Sequence, residues 1–257
     1  MTVLSVNVNK IAWLRNARGG DRPNVVDCAR TVLDAGAGGI TVHPRPDARH
    51  IRASDVYALK GLVDEYPGAE FNIEGNPKAP ARAGGYPGFD RLIDDIRPHQ
   101  CTLVPDDDAQ LTSDHGWDLT DEGTVVQLQR LVARYQSWGA RVSLFMDPVC
   151  VQIAAAKRLG ADRIELYTGP YADQVARCGL DHPNAEASWT TYRDAARFAH
   201  ERGLGVNAGH DLDLVNLARF VSMGHIAEVS IGHALVADAL EMGLTRTVER
   251  YLEQLES

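Results

Sequence analysis

Short apolar, often β-branched runs alternate with longer helical stretches along the whole of this chain, eight times over, with no low-complexity linker between them. No other feature constrains the fold as much. Parallel strands need a crossover between each pair, and the crossovers bury the sheet on both faces. Eight such units in 257 residues predict a single α/β domain over residues 1–257, a (β/α)8 barrel with extra helices. A doubly wound open sheet shows the same alternation. It would carry a glycine-rich nucleotide loop straight after the first strand, and the nearest pair, Gly19-Gly20, lies too far beyond it.

Strands are expected at residues 4–8, 40–43, 70–74, 101–104, 141–146, 163–167, 205–208 and 227–231. Asn24 is the expected N-cap of a helix reaching Asp34, Ser54 of one reaching about Tyr66, and Thr120 or Asp121 of a long one through Trp138. Further helices are expected at 89–97, 149–159, 185–202, 214–221, 234–242 and 245–255. Residues 75–88 and 168–183, rich in glycine and proline, read as loops able to close over a site.

The formal charge of -9 argues against a nucleic-acid or anionic-membrane binder, which needs a basic face. Anionic small molecules stay open, because a few convergent arginines set the field inside a pocket. The start, MTVLSVNVNK, lacks the basic and apolar regions of a signal peptide, and no apolar run approaches a membrane span. Cys28, Cys101, Cys150 and Cys178 form no C-x-x-C pair and are expected to be reduced, mostly buried thiols of a cytoplasmic protein.

In a barrel, chemistry sits at the carboxyl ends of the strands. The residues there are Asn7, Asn9 and Lys10; His43 and Arg45; Glu74; Thr112; Glu165 and Thr168; His210; and Gly232 with His233. Any one histidine in such a place is more often structural or solvated than catalytic; their joint placement on one rim is what suggests a site. Imidazoles titrate near neutrality and suit proton shuttling. Glu74, in a water-poor pocket, would have a raised pKa and could act as a base. The Gly209-His210 and Gly232-His233 segments offer backbone N–H groups where barrels commonly hold phosphate. Arg18, Arg45 and His50 could clamp further phosphate oxygens, the plain alternative for each arginine being a solvated ion pair, which suits Arg49 and Arg52 best.

Metal binding competes on paper, since His43, Glu74, His210 and His233 could form a mixed N/O site. No H-x-H follows the first strand and no H-E-x-x-H occurs, so the spacing supports no metal. Nucleophilic catalysis is weaker still, with no G-x-S-x-G and no cysteine at a strand tip.

Taken in order, SVN at Ser5, LRNARG at Leu14, GITVHPRPDARHI at Gly39, FNIE at Phe71, TLVPD at Thr102, LTSDHGWD at Leu111, IELYTGPYA at Ile164, VNAGHDL at Val206 and SIGHAL at Ser230 resemble the pyridoxine 5′-phosphate synthase family, which closes the ring of vitamin B6. Each stretch alone is weak; together they span the chain and are specific. The resemblance implies a (β/α)8 barrel with extra helices, a homo-oligomer (octamers built from dimers), and small phosphorylated substrates. It implies condensation of 3-amino-2-oxopropyl phosphate with 1-deoxy-D-xylulose 5-phosphate, without metal or organic cofactor. It further implies that His43 and Glu74 accept protons, His210 donates one and Glu165 stabilises charge in the transition state. Asn7 and Arg18, with the backbone around Asp211 and Gly232-His233, would hold the aminoketone phosphate. Arg45, His50 and Thr112 would hold the deoxyxylulose phosphate.

Two departures stand out. Asn9-Lys10 replaces the family's commoner Asp-His pair, and Asp211 stands where glycine is common. Lys10 is expected to take a phosphate contact, the alternative being that it points to solvent; a Schiff-base role is weaker, because the substrate already supplies the amine. Asp211 is expected to act through its backbone N–H. Both departures leave room for a barrel aldolase or isomerase acting on another phosphorylated ketose. A non-catalytic phosphate-binding homologue is a third reading, against which the presence of His43, Glu74 and His210 speaks.

Overall fold

Eight parallel strands hydrogen-bond to one another in chain order and the eighth closes on the first, giving the expected barrel. The computed structural model describes residues 1–256. The strands are β1 (Val3–Asn7), β2 (Gly39–Val42), β3 (Glu70–Gly75), β4 (Gln100–Leu103), β5 (Arg141–Met146), β6 (Arg163–Tyr167), β7 (Gly205–His210) and β8 (Ile226–Ile231). Around them lie α1 (Asn9–Asn16), α2 (Val25–Asp34), α3 (Ala53–Val63), α4 (Phe89–Ile96), α5 (Glu122–Ser137), α6 (Cys150–Arg158), α7 (Gly169–Cys178), α8 (Pro183–Glu201), α9 (Leu217–Val221), α10 (His233–Met242) and α11 (Leu244–Leu255).

The strands alternate apolar and polar residues, and the closed sheet puts the two sets in different places. Leu4 and Val6, Ile40 and Val42, Phe71 and Ile73, Leu144 and Met146 are fully or almost fully buried in the apolar cluster formed with the helices. The polar set fills the barrel. Gln100 on β4 donates to Glu228 on β8, and Asn207 on β7 donates to both, so these side chains meet across the interior. Ser5 bonds to Thr41, Asn72 donates to Thr41, and Thr102 donates to Asn72, a hydrogen-bonded row linking β1 to β4. At the amino-terminal floor Arg141 pairs with Glu70 and Arg163 reaches Glu228. Barrels more often pack branched aliphatics inside; here the interior is polar and largely satisfies its own hydrogen bonds.

Several elements depart from expectation. β1 ends at Asn7, so Asn9 and Lys10 open helix α1 rather than extend a loop. That helix was not expected, because Ile11-Ala12-Trp13-Leu14 is a contiguous apolar block with no 3.6-residue stripe. Residues 168–183 are mostly helix α7, not a mobile loop, with Pro170 in the first turn where its missing N–H costs nothing. Ser54 does not cap α3; Arg52 holds the N-cap position and its N–H donates to Asp55 at 2.8 Å. Asn24 and Asp121 cap α2 and α5 as expected. The four cysteines are free, but only Cys101 is buried, because the others lie on the outer helices.

Asp55 is tied down by Arg15, which grips both carboxylate oxygens at 2.6 and 2.9 Å and also donates to the His50 carbonyl. Its neighbour Asn16 donates to the carbonyls of Arg49 and His50. Helix α1 therefore fixes the loop after β2 from behind. Arg15→Met leaves Asp55 charged, buried and unpaired, and should destabilise the fold by about 3–5 kcal/mol. Urea unfolding measures this; a loss under about 1 kcal/mol would mean the pair is energetically idle.

Candidate active site

The carboxyl ends of the strands enclose a cavity of about 280 Å³, and all the candidate residues line it except Arg18 and Thr168. Arg18 lies exposed just past the end of α1 and is not a wall of this cavity. Thr168 is fully buried behind it.

The first wall is stitched together from three strands. Asn7 at the end of β1 accepts from the Asn9 N–H at 3.0 Å and donates to Glu74 Oε2 at 3.4 Å. Asn9 Oδ1 accepts from the His43 N–H at 2.9 Å, so it positions the backbone at which His43 leaves β2. The His43 ring is thereby held between two acids, its Nδ1 3.8 Å from Glu74 Oε2 and its Nε2 3.5 Å from Asp106 Oδ2.

Burial decides the protonation of these groups. His43 is buried and pushed well below its usual value, first by desolvation and then by the charges of Arg45 and Arg49, so the ring is neutral. Glu74 is pushed well above the usual carboxylate range by desolvation, then by Glu165 and Asp106. Glu165 is pushed up to about 8 by desolvation and by Glu228 below it. Its Oε2 is buried without a hydrogen-bond partner, as suits an uncharged acid. Its Oε1 approaches Gly209 so closely that a Cβ there would lie 2.3 Å away, so a side chain at 209 would have to displace the Glu165 carboxyl.

The second wall is a loop, residues 104–121, held down by arginines. Arg45 pairs with Asp106 and donates to the carbonyls of Asp107 and Gln110. Arg49 donates to the carbonyls of Asp108, Gln110 and Leu111, and Arg82 pairs with Asp108. Ser113 adds a 2.9 Å bond to Asp106 Oδ2. Arg45 is thus already committed to a carboxylate rather than free to clamp phosphate, and Arg49 forms the expected ion pair, with exposed Asp47 at 2.7 Å, while also anchoring the loop. His50 accepts the Ile51 N–H at Nδ1, 2.9 Å away, which leaves its proton on Nε2. Desolvation, then His43 and Arg45, push it to about 3, so it is neutral.

The third wall carries His210. Its Nε2 lies 2.7 Å from Thr112 Oγ1, its Nδ1 lies 2.8 Å from Asp211 Oδ2, and its ring meets Tyr167 edge-on. The Asp211 N–H donates to Thr168 Oγ1 at 3.3 Å. Gly232 and His233 line the cavity at the start of α10, where helix N–H groups favour an anion. Lys10 lines the cavity too, 4.8 Å from the centre of the Trp13 ring, and does not point away into solvent. Desolvation, then Arg45 and Arg49, lower its pKa.

Asp106, Ser113, Trp13 and Phe145 belong to the site and were missed. Asp106 closes the TLVPD stretch directly after β4, and Phe145 falls on the inward register of β5, so both were open to a strand-tip count. Trp13 was not, because α1 was not expected. Among the described residues no group of three or more His, Cys, Asp or Glu side chains is arranged to hold a metal ion, and no helix is long and apolar enough to cross a membrane.

Residues 4–257 match the model of a family described as pyridoxal phosphate biosynthesis protein PdxJ. A protein from Xanthomonas campestris pv. campestris (strain B100), named pyridoxine 5′-phosphate synthase, is 58% identical over 252 residues, covering 98% of this chain and 95% of its own. One of the same name from Xylella fastidiosa (strain 9a5c) is 53% identical over 258 residues, covering 100% and 95%. Among solved structures, a chain of ligand-free tryptophan synthase from M. tuberculosis aligns with a TM-score of 0.65 at 11% identity, covering 100% of this chain and 94% of that one. That likeness concerns the barrel alone.

The elevated Glu165 fixes a sign. Between the ordinary value of 4.5 and about 8, the folded chain keeps a proton that the unfolded chain has released, so stability falls as pH rises through that window. Glu165→Gln removes this contribution and should flatten the loss of stability between pH 5 and pH 8. Denaturant unfolding at both pH values tests it, and an unchanged slope would place the group's titration elsewhere.

Proposed function

The chain belongs to the pyridoxal phosphate biosynthesis protein PdxJ family, and on that premise we propose how the groups at its barrel mouth divide the work. The activity is that of a pyridoxine 5′-phosphate synthase: 3-amino-2-oxopropyl phosphate and 1-deoxy-D-xylulose 5-phosphate condense to pyridoxine 5′-phosphate, with release of phosphate and water. The aldolase or isomerase and phosphate-binder readings give way to it.

The observation that carries the division of roles is the His43 ring lodged between Glu74 and Asp106 in a cavity whose far wall is His210. Amine addition to a ketone needs a base for the amine proton and an acid for the departing hydroxyl. His43, kept neutral by burial, is the first acceptor. Glu74, pushed up by burial and by neighbouring acids, holds a proton and becomes an acceptor only after releasing it, so the His43–Glu74 pair handles protons as one unit. His210 delivers a proton from Nε2 to the leaving oxygen. Glu165, neutral and just below, meets positive charge as it develops, when ionising becomes favourable.

Two dianions must also be held. Gly232-His233 at the α10 N-terminus, together with Asn7, takes the aminoketone phosphate. The Nε2–H of His50, Thr112 and Lys10 take the deoxyxylulose phosphate. Lys10 makes no ion pair among the described residues, so its charge is available where Arg45's is not. The homo-oligomer implied by the resemblance belongs to the same proposal: Leu14 on α1 and Leu240 and Met242 on α10 are exposed apolar side chains on helices that touch. Light scattering should give a multiple of 28.0 kDa, octameric at full assembly, and a mass of one chain would remove the assembly.

Mixing the two phosphorylated substrates with the protein should produce pyridoxine 5′-phosphate, followed by its absorbance. Glu74→Gln should lower kcat about 10²–10⁴-fold with little change in KM, as loss of a proton-transfer group does. Lys10→Ala should raise KM for the deoxyxylulose phosphate about tenfold, the loss of roughly one charge-assisted contact. An unchanged KM would free Lys10 of that role.

A further inference from the structure

We propose that Asp211 is a positioning residue for His210, acting through its carboxylate, and that Lys10 is its counter-charge. The inference rests on His210 being the proton donor of the reaction assigned above.

The Asp211 main chain is engaged on both sides. The Asp211 N–H goes to Thr168 Oγ1, and its carbonyl accepts from Asn216 Nδ2 at 3.3 Å. Thr168 also bonds to the Gly209 carbonyl through both its N–H and its hydroxyl. These clamps hold His210 at φ +103, a backbone conformation costly for a residue with a Cβ. What faces the ring from residue 211 is its side chain, with Oδ2 2.8 Å from Nδ1.

A carboxylate can only accept, so it fixes the ring hydrogen on Nδ1. The exchangeable site is then Nε2, which points at Thr112 Oγ1 2.7 Å away. The neutral ring accepts there, and the protonated ring donates there. A glycine at 211 would leave Nδ1 to water and the tautomer unfixed. The carboxylate stays charged. Burial pushes Asp211 up, but the hydrogen bond from His210 and the charges of His210, His233 and Lys10 outweigh it and hold the group below its usual value. Asp211 in turn opposes the lowering of Lys10.

The charged and titratable groups facing this pair are Lys10 on α1, His43 after β2, Asp106 after β4, Tyr167 on β6, Tyr192 on α8 and His233 on α10. The carboxylate at 211 thus stands against the imidazole and offsets the ammonium at 10.

The test uses the assembled enzyme and both phosphorylated substrates. Asp211→Asn should lower kcat about tenfold and leave both KM values within about twofold. The alkaline limb of its kcat–pH profile should move down by about one unit, because a protonated ring loses its anion. Lys10→Met combined with Asp211→Asn should lose less than the product of the two single losses. Independently of turnover, histidine nitrogen and carbon NMR shifts of the resting wild type should report a proton on Nδ1 of His210, and those of Asp211→Asn a loss of that preference. An Nε2–H ring in the wild type overturns the proposal, as does Asp211→Asn with unaltered kcat and pH profile, or with a raised KM alone. Absence of pyridoxine 5′-phosphate with the wild type would instead strike the assigned reaction, leaving the tautomer result to be read by itself.

Discussion

The chemistry of this barrel depends on where cations stop. At the floor, Arg141 and Arg163 stand among Glu70, Gln100, Asn207 and Glu228, and Arg141 holds the Glu70 carboxyl below its usual value. One layer up, the inward row runs through Ser5, Thr41, Asn72 and Thr102 to Glu165, with no guanidinium or ammonium among the described residues bonded to that acid. A carboxyl there faces burial and other carboxyls, and keeps its proton. The same residue type is therefore an ion-pair partner at the bottom of the barrel and a neutral acid near the top. Burial and the neighbouring charges, not residue identity, set the difference: Glu228, deeply buried at the floor, is pushed up by desolvation even with Arg163 3.5 Å away, whereas the half-buried Glu70 is not.

The arginines at the mouth act mainly at a distance. Arg45 and Arg49 are spent on the loop of residues 104–121, through Asp106 and a set of backbone carbonyls. That ties the loop to the segment after β2, which α1 in turn fixes through Arg15 and Asn16. Yet their charges still disfavour protonation of His43, His50 and Lys10. One pair of side chains thus anchors the roof and adds to the burial that keeps the imidazoles beneath it neutral, as proton acceptors must be.

Much of this was legible in the residues. The eightfold alternation was enough for the barrel, and the strand-tip rule placed His43, Glu74, Glu165 and His210 together because parallel strands all end at one rim. The failures over Arg45 and helix α1 share a cause: each needed a partner distant in sequence. Arg18 and Arg45 carry the same charge, and only the fold shows that one is outside the cavity and the other occupied by Asp106, 61 positions away. Helix α1 escaped notice because it is held by contacts to the loop after β2 rather than by an amphipathic stripe. Residues 168–183 looked mobile because glycine and proline were weighed as breakers, whereas Gly169 and Pro170 sit in a first helical turn, where neither is a fault.

Two imidazoles at this mouth are locked in opposite tautomers, by different means. His50 receives a backbone N–H at Nδ1, so its proton is left on Nε2 as a fixed donor, and its burial keeps it from taking a second. A group of that kind suits an anion that must be held and not protonated. His210 has a carboxylate at Nδ1 and hence an Nε2 that can be empty or occupied, which suits a group that must give a proton up and take it back. The main chain enforces the first choice and a side chain the second. A peptide N–H at that ring nitrogen would forbid the second state of His210, so the donor's partner has to be an acceptor, and on this chain Asp211 is the residue that supplies one.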